Sequence, residues 1–359
     1  MMTFLLKTYG CAMNTYESGK IADLLLGLDL TEASDIHQSD FLIINSCSIR
    51  QAAEDSVYGW GLVIKDLPKK PVVILMGCLT GAAKSQRRRY ELSYLQKKAP
   101  WVDYFWTFEE AVEKLPTIVK SNRVASVERN STGLVSISRG CDNFCTYCVV
   151  PYARGPEKSR PLSDIIEEVE KLVTSGQTEI ILLGQNVNSW GKDFTPPERF
   201  SYLVKKVHAI KGITKVSFLS SNPYDFEDDL IAVLKLPKVD RYLHLPVQSG
   251  DDEILRKMNR RHTREEYLEL VVKIKKAVPE IRIGTDIIVG FPGETDGQFG
   301  HTLDLIKEVG FKQIFVAMYS PRKGTVAAET MMDDVPSKVK RQRHKEVLDL
   351  IKKISKVLI

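Results

Sequence analysis

Several features that would place this 359-residue chain outside the ordinary globular class are missing from its sequence. No apolar run approaches the ~20 residues needed to cross a bilayer, and the first residues lack the apolar segment of a signal peptide. The 16 prolines and 22 glycines are far fewer than in low-complexity chains. These absences exclude membrane-spanning, collagen-like and disordered classes, and we expect a cytoplasmic protein of about two domains.

Cysteine is also scarce, because six residues are too few for a disulfide scaffold. The cysteines form two sets of three: the widely spaced Cys11, Cys47 and Cys78, and the closely spaced Cys141, Cys145 and Cys148. A structural zinc site needs four nitrogen or sulfur ligands, and the close set offers three with no histidine nearby. Three thiolates on one loop suit a [4Fe–4S] cluster whose fourth iron stays open. The alternative is three buried thiols without a ligand.

Positive charge exceeds negative charge only slightly, at 51 basic against 46 acidic residues and a net charge of +5. The basic residues are concentrated in three stretches, at 84–98, 256–264 and 336–359. This distribution permits a polyanionic partner. A basic stretch taken alone is more often a solvated helix face.

The first 125 residues alternate apolar runs with amphipathic patterns. Strands are predicted at 3–8, 41–45, 72–76 and 102–106, and helices at 17–28, 52–65, 82–98 and 109–120. This alternation is typical of an open parallel sheet covered on both faces. Cys11, Cys47 and Cys78 each follow a predicted strand, and loops beyond the carboxyl ends of parallel strands gather at one edge. We therefore expect these cysteines to converge on a second cluster site, the alternative being small buried hydrophobic residues.

A polar stretch without periodicity, 121–132, is interpreted as an interdomain linker. We therefore predict an N-terminal domain over 1–125 and a second domain over 126–359. Six strands are predicted in the second domain at 134–138, 179–184, 215–219, 242–246, 282–289 and 313–318, with helices at 162–175, 200–210, 226–236, 263–277, 295–309 and 337–357. Six βα units indicate a partial (β/α)6 barrel resembling a TIM barrel, with its chemistry in the loops at the carboxyl ends of the strands.

The close cysteine set lies in the first of those loops. A [4Fe–4S] cluster with an open iron can bind the amino and carboxylate groups of S-adenosylmethionine, and one electron then breaks a carbon–sulfur bond to give a 5′-deoxyadenosyl radical. Two other strand ends suit such a ligand: Gly184-Gln185-Asn186 after the second strand and Gly290 after the fifth, which carries Asp286. Each is a weak signal alone, and the turn at Gly290 is by itself more often an ordinary βα turn.

Several motifs of this sequence resemble those of a known family. Cys141-Xaa3-Cys145-Xaa2-Cys148, with Tyr147 before the last cysteine, resembles the radical S-adenosylmethionine superfamily. The longer stretch 139–160 resembles the methylthiotransferases within it, and so do 8–14, 45–50 and 76–79 around the spaced cysteines. The resemblance implies an N-terminal methylthiotransferase domain followed by a radical S-adenosylmethionine partial barrel, and it covers nearly the whole chain.

Within this family, 184–191 and 246–250 most resemble the MiaB type, which methylthiolates carbon 2 of N6-isopentenyladenosine at tRNA position 37. Two related types remain alternatives, one acting on threonylcarbamoyl-adenosine in tRNA and one on a ribosomal-protein aspartate. The second usually has Gln-His where this chain has Gln248-Ser249. A more remote alternative is a non-catalytic iron–sulfur or zinc protein that binds RNA.

The resemblance implies that Cys141, Cys145 and Cys148 hold the radical-generating cluster. It implies that Cys11, Cys47 and Cys78 hold an auxiliary [4Fe–4S] cluster, which carries the sulfur to be inserted. One S-adenosylmethionine would methylate that sulfur and a second would remove the hydrogen from the unactivated carbon. The further residues expected to bind the cofactor are Tyr147, Gly184, Gln185, Asn186, Gln248, Asp286 and Gly290.

The implied partners are a tRNA anticodon stem-loop, an electron donor such as flavodoxin or ferredoxin, and a sulfur donor. No membrane is involved, and we expect a monomer. The family normally ends in a small RNA-binding β-barrel (TRAM), which we expect to be absent here. The target base must leave its stack, so an aromatic or arginine platform is expected, with Trp190, Tyr152 and Arg154 as candidates.

Overall fold

A computed structural model describes residues 2–48, 51–119 and 133–357. The chain divides into two units, one formed by residues up to 142 together with 149–157, and the other by 143–148 together with residues from 158 onward. The predicted linker at 121–132 and the predicted boundary at 125/126 lie outside the described residues. The division found here comes later in the chain and is interleaved, since residues 149–157 return to the first unit.

Unit one is an α/β unit. Its strands are β1 (Thr3–Tyr9), β2 (Thr31–Glu32), β3 (Phe41–Ser46), β4 (Val72–Gly77), β5 (Tyr104–Phe105), β6 (Leu134–Ser136) and β7 (Ser138–Arg139). Its helices are α1 (Ala12–Gly27), α2 (Gln51–Lys65), α3 (Cys78–Lys84), α4 (Leu92–Lys98), α5 (Phe108–Val119) and α6 (Val150–Ala153), with a 3-10 turn at Ile36–Gln38. The described strands β2-β1-β3-β4-β5 pair in that order and all run parallel, which confirms the predicted parallel sheet.

Both faces of this sheet are buried, because successive side chains of a strand point to opposite faces. Leu42 and Leu75 pack on one face with residues of α2 and α4. Ile43 and Ile74 pack on the other face with residues of α1 and α5. Continuous apolar strands such as β3 are typical of a parallel sheet covered on both sides.

The helix predicted over 82–98 is interrupted, and this prediction was wrong in its middle. The structure has α3 up to Lys84 and α4 from Leu92. Ser85 is extended, its hydroxyl donates to the Tyr152 carbonyl, and the Arg87 amide donates to the Ser85 hydroxyl. These side-chain hydrogen bonds compete with helical backbone bonds and end the helix.

Unit two is built from βα pairs. Its strands are β8 (Lys158–Ser159), β9 (Glu179–Leu183), β10 (Lys215–Phe218), β11 (Tyr242–His244), β12 (Arg282–Val289) and β13 (Gln313–Met318). Its helices are α7 (Leu162–Thr174), α8 (Phe200–Ala209), α9 (Asp228–Val233), α10 (Asp252–Lys257), α11 (Arg264–Ala277), α12 (Asp296–Val309), α13 (Val326–Thr330) and α14 (Ser337–Val357), with 3-10 turns at Val187–Ser189 and Pro223–Asp225.

The strands of unit two pair in parallel, β9 with β10 and β12 with both β11 and β13. Of the six strands expected for the partial barrel, β9 to β13 therefore lie in unit two, and β6 is grouped with unit one. The helix α10 was not predicted. No helix among the described residues has both the length and the apolar character needed to cross a bilayer.

Close backbone packing between α3 and α6 provides a test of the fold of unit one. A methyl group on Gly81 would lie 2.0 Å from the Ala153 carbonyl oxygen, whereas nothing lies within 4 Å of one on Gly59 in α2. We expect Gly81→Ala to lower the free energy of unfolding by about 1–3 kcal/mol through overpacking. Gly59→Ala, the matched control, should raise it by about 0.5–1 kcal/mol. Urea unfolding of both variants measures this, and a Gly81→Ala variant as stable as the parent would contradict the packing.

Candidate cluster and cofactor sites

The three widely spaced cysteines lie just beyond one edge of the sheet in unit one. The strands β1, β3 and β4 are neighbours, and their last residues are in register, with Tyr9 opposite Ser46 and Ser46 opposite Gly77. Cys11, Cys47 and Cys78 follow these strand ends by one or two residues. The convergence predicted from the sequence therefore follows directly from the strand order.

Polar side chains attach this edge to α1. Cys11 is the N-cap of α1, and its amide donates to Asn14 Oδ1 at 3.3 Å. The buried Asn45 amide group donates to the Asn14 carbonyl at 2.9 Å and to the Ser18 hydroxyl at 3.1 Å, and Asn14 Nδ2 donates back to Asn45 Oδ1 at 2.9 Å. A buried network in which the groups satisfy one another fixes the start of α1, and with it Cys11.

Cys78 has polar partners although it is buried. The Cys47 side chain donates a hydrogen bond to it, and Arg154 Nε donates to Cys78 Sγ at 3.1 Å. Arg154 Nη1 and Nη2 hold the Glu17 carboxylate at 2.5 and 3.3 Å. The Cys47 hydrogen bond and the Arg154 charge outweigh burial and lower the pKa of the Cys78 thiol below its ordinary value. The thiolate, which is the form that binds metals, is therefore favoured.

The donor set at this edge consists of three thiols, which suit an iron–sulfur cluster. The described residues hold no group of three or more His, Cys, Asp or Glu side chains arranged around one metal ion. In a [4Fe–4S] cluster each thiolate binds a different iron, so its ligands lie further apart than those that share one zinc ion. Three cysteines on neighbouring strand ends, with a cation beside one sulfur, suit the cluster.

The boundary between the two units falls inside the close cysteine set, with Cys141 in unit one. Cys141 is buried, and its amide donates to the Gly155 carbonyl at 3.3 Å. The preceding Gly140 has a φ of +80°, and a Cβ there would lie 2.0 Å from the Pro156 carbonyl oxygen. Only glycine satisfies both conditions without strain, which gives a physical reason for the glycine before the first cysteine.

Cys145 and Cys148 are half-buried and belong to unit two. The Cys148 amide donates to the Cys145 carbonyl at 2.9 Å, and the Thr146 amide donates to the Met258 carbonyl at 3.0 Å. Asn259 Nδ2 also donates to the Phe144 carbonyl at 3.0 Å. The segment after α10 therefore shapes this part of the loop.

Two further side chains surround these cysteines. Arg260 Nη1 donates to Cys145 Sγ at 3.7 Å, and Arg260 Nη2 donates to the Pro246 carbonyl at 2.7 Å. Tyr147 packs against an apolar cluster that includes Met258 and Phe291. Burial raises the pKa of the Tyr147 hydroxyl well above its ordinary value, with Cys145 adding to the shift. A neutral tyrosine and a charged arginine therefore lie beside the cysteines of unit two.

The residues predicted to bind the cofactor fall into two groups by their contacts in unit two. Near β11 and β12, the backbone amide of Gln248 donates to the backbone carbonyl of Asp286 at 2.9 Å. Gln248 takes a φ of +77°. Asp286 Oδ2 lies 3.1 Å from His244 Nε2. The Gly290 amide donates to Glu294 Oε2 at 2.6 Å, and Tyr147 packs against an apolar cluster that includes Phe291, the residue after Gly290.

The second group lies after β9. Gly184 and Gln185 are half-buried, and Asn186 is buried. Asn222 Nδ2 donates to Asn186 Oδ1 at 3.0 Å, and the Val187 amide donates to the Ser220 carbonyl at 3.2 Å. Asn186 is thus held by the loop after β10, and Gly184 and Gln185 are the more accessible members of this group.

Two of the three platform candidates were wrong. Trp190 is completely buried, and its Nε1 donates to the Arg160 carbonyl at 3.0 Å. Arg154 is buried and occupied by Glu17 and Cys78. Only Tyr152 is half-buried. Sequence reasoning missed the contacts of Arg154, Glu17 and Arg260 with the cysteine sites, although Arg260 lies in a basic stretch that the composition had shown.

Comparison with known proteins identifies the family. The family described as "Radical SAM superfamily" matches residues 135–306, and "Uncharacterized protein family UPF0004" matches 3–104. A tRNA-2-methylthio-N(6)-dimethylallyladenosine synthase from Clostridium tetani (strain Massachusetts / E88) is 41% identical, over 98% of this chain and 81% of that protein. The chain belongs to the radical S-adenosylmethionine methylthiotransferases. A synthase of the same name from Caldicellulosiruptor saccharolyticus is 40% identical, over 98% of this chain and 78% of that protein.

Solved structures agree on the fold of this methylthiotransferase. The radical S-adenosylmethionine methyltransferase TsrM from Kitasatospora setae, with cobalamin and a [4Fe–4S] cluster bound, superposes with a TM-score of 0.63. It is 12% identical, and the match covers 91% of this chain and 74% of that one. This likeness concerns the fold alone. The family match over 135–306 and the 41% identical synthase show that the chain is a radical S-adenosylmethionine enzyme, with [4Fe–4S] clusters and S-adenosylmethionine as cofactors.

Proposed function

We propose that this methylthiotransferase adds a methylthio group to carbon 2 of N6-dimethylallyladenosine (isopentenyladenosine) at position 37 of tRNA. The observation that carries the proposal is 41% identity over 98% of the chain to a synthase of that name. The location of Cys11, Cys47 and Cys78 on neighbouring strand ends supports it, since this chemistry needs a second site that holds sulfur. Carbon 2 bears no acidic proton, so acid–base catalysis alone cannot break its carbon–hydrogen bond.

In this proposal Cys141, Cys145 and Cys148 hold one [4Fe–4S] cluster and Cys11, Cys47 and Cys78 hold the other. When bound, these groups and S-adenosylmethionine supply the electron, the hydrogen-abstracting species and the sulfur. The protein contributes binding and exclusion of water. Tyr147 and Ile288 each pack against the apolar cluster that contains Phe291, and the Gln248 carbonyl accepts a hydrogen bond from the Ile288 amide. In this proposal Gln248, Asp286 and Gly290 supply polar contacts to S-adenosylmethionine.

The proposed partners follow from the substrate. Exposed basic side chains, Arg256, Arg261, Lys338 and Arg341 among them, suit the phosphates of a tRNA anticodon stem-loop. The reaction also needs a one-electron donor of the flavodoxin or ferredoxin type and a source of sulfur. A cytoplasmic monomer would meet each of these partners where tRNA matures.

The tRNA nucleosides of a strain that lacks this gene test the proposal. We expect 2-methylthio-N6-dimethylallyladenosine to disappear, its unthiolated precursor to accumulate, and plasmid-borne wild-type chain to restore the product. Liquid chromatography with mass spectrometry measures all three. An unchanged nucleoside profile would reject the proposal, and loss of methylthiolated threonylcarbamoyl-adenosine instead would reassign the substrate.

A further inference from the structure

One arginine in unit one has an unusual environment. Arg154 is 8% exposed and lies just after α6, and its guanidinium divides its donors between two acceptors. Nε points to Cys78 Sγ at 3.1 Å, while Nη1 and Nη2 hold Glu17 at 2.5 and 3.3 Å. The side chains of Arg154 and Glu17 are each 3% exposed. Because one planar guanidinium bonds both groups, it fixes the position of the Cys78 sulfur relative to Glu17 in helix α1.

Folding stability alone does not account for this arrangement. Burying an arginine–carboxylate pair costs desolvation energy, and the attraction between the two charges often does no more than offset that cost. Replacing both partners with apolar residues therefore often leaves the free energy of unfolding unchanged. Pairing with Glu17 uses Nη1 and Nη2 and does not require Nε to face a sulfur. Arg154 directs its Nε donor to the Cys78 sulfur, and its positive charge also interacts electrostatically with Cys11.

We propose that Arg154 is a positioning residue that orients the Cys78 sulfur and raises the reduction potential of the cluster held by Cys11, Cys47 and Cys78, while Glu17 limits that rise. The inference rests on the proposed function for the presence of this cluster. A hydrogen bond to a ligating sulfur and a nearby positive charge both stabilise the more negative, reduced form. The carboxylate of Glu17 acts in the opposite sense.

The two partners are therefore expected to shift the potential in opposite directions. Arg154→Met should lower the midpoint potential, because it removes the donor and the charge. Glu17→Gln should raise it, because it removes the opposing charge and leaves the guanidinium in place. Arg154→Lys should give an intermediate value, since an ammonium keeps the charge but lacks the fork that spans both acceptors.

The experiment measures one cluster at a time in the 359-residue chain. Each variant is placed in a Cys145→Ala background, reconstituted anaerobically and titrated with dithionite as the one-electron reductant, with the reduced cluster followed by electron paramagnetic resonance. Lys84→Met is the matched control, because Lys84 makes a partly buried pair with Glu110 in the same unit, at 2.6 Å. It should affect stability but leave the potential unchanged.

The outcomes separate this inference from the proposed function. If the Cys145→Ala background binds no cluster, the proposed function fails at its second site. If the cluster is present and Arg154→Met and Glu17→Gln shift its potential in the same direction, or by no more than Lys84→Met does, the positioning role is wrong. If Arg154→Met does not fold, Arg154→Lys and Glu17→Gln test the direction of the shift in midpoint potential. Both substitutions keep a polar side chain at the buried position, so they are better tolerated.

Discussion

A Cys145→Ala variant is expected to form no 5′-deoxyadenosine from S-adenosylmethionine and to leave tRNA unmodified. Cys145 belongs to the close set, and an alanine cannot ligate iron, so the cluster that serves S-adenosylmethionine should be lost. Of about eight irons expected for two [4Fe–4S] clusters, about four should remain. Anaerobic reconstitution, iron analysis and chromatographic assay of 5′-deoxyadenosine with dithionite as reductant measure the effect.

The local structure makes Cys145 a suitable position for this test. It is half-buried, so removing its sulfur leaves little apolar volume unfilled. The backbone of the loop is fixed by other groups, such as the Thr146 amide on the Met258 carbonyl. Full iron content or continued 5′-deoxyadenosine formation in this variant would show that the close set does not hold the cluster that serves S-adenosylmethionine.

A Cys47→Ala variant should show a different loss. We expect it to bind about four irons, since the cluster of the close set is intact, and to keep forming 5′-deoxyadenosine. It should nevertheless make no 2-methylthio product, because the site that carries the sulfur is gone. Iron analysis, the 5′-deoxyadenosine assay and mass spectrometry of an in vitro tRNA substrate together measure this.

Cys145→Ala and Cys47→Ala are each other's matched control, since both remove one sulfur from the same chain. Cys47 is 2% exposed, so its variant needs a circular dichroism spectrum and an unfolding curve to show that the sheet persists. If Cys47→Ala kept all its iron, the auxiliary cluster would not lie on these strand ends. If it lost 5′-deoxyadenosine formation while remaining folded, the two sites would not be separable.

Much of the fold could be predicted because the signals are local. The structure places β12 and β13 at the predicted 282–289 and 313–318. Runs of β-branched residues between helical patterns predict such strands from the local sequence alone. The position of three cysteines at one sheet edge also followed, because the register of parallel strands brings their carboxyl ends together. These inferences needed only the chain's periodicity and the residues after each strand.

Other features depend on residues far apart in the sequence. The interruption after Lys84 comes from Ser85 donating to Tyr152, 67 residues away. The partner of Arg154 is Glu17, 137 residues away, so the arginine could be mistaken for a base platform. Trp190 was misjudged for a similar reason, because its indole nitrogen donates to the Arg160 carbonyl, 30 residues away, and the side chain is buried. No local pattern encodes these pairings.

The return of residues 149–157 to unit one governs how this enzyme can be dissected. A fragment that stopped at residue 125 would keep Glu17 but discard Arg154, leaving a carboxylate enclosed without its counter-ion. Removing one partner of such a pair typically costs about 3–5 kcal/mol, a large share of the stability of a domain this size. Excision of the sheet as an independent piece is therefore unpromising, and its cysteines are better studied in the intact polypeptide.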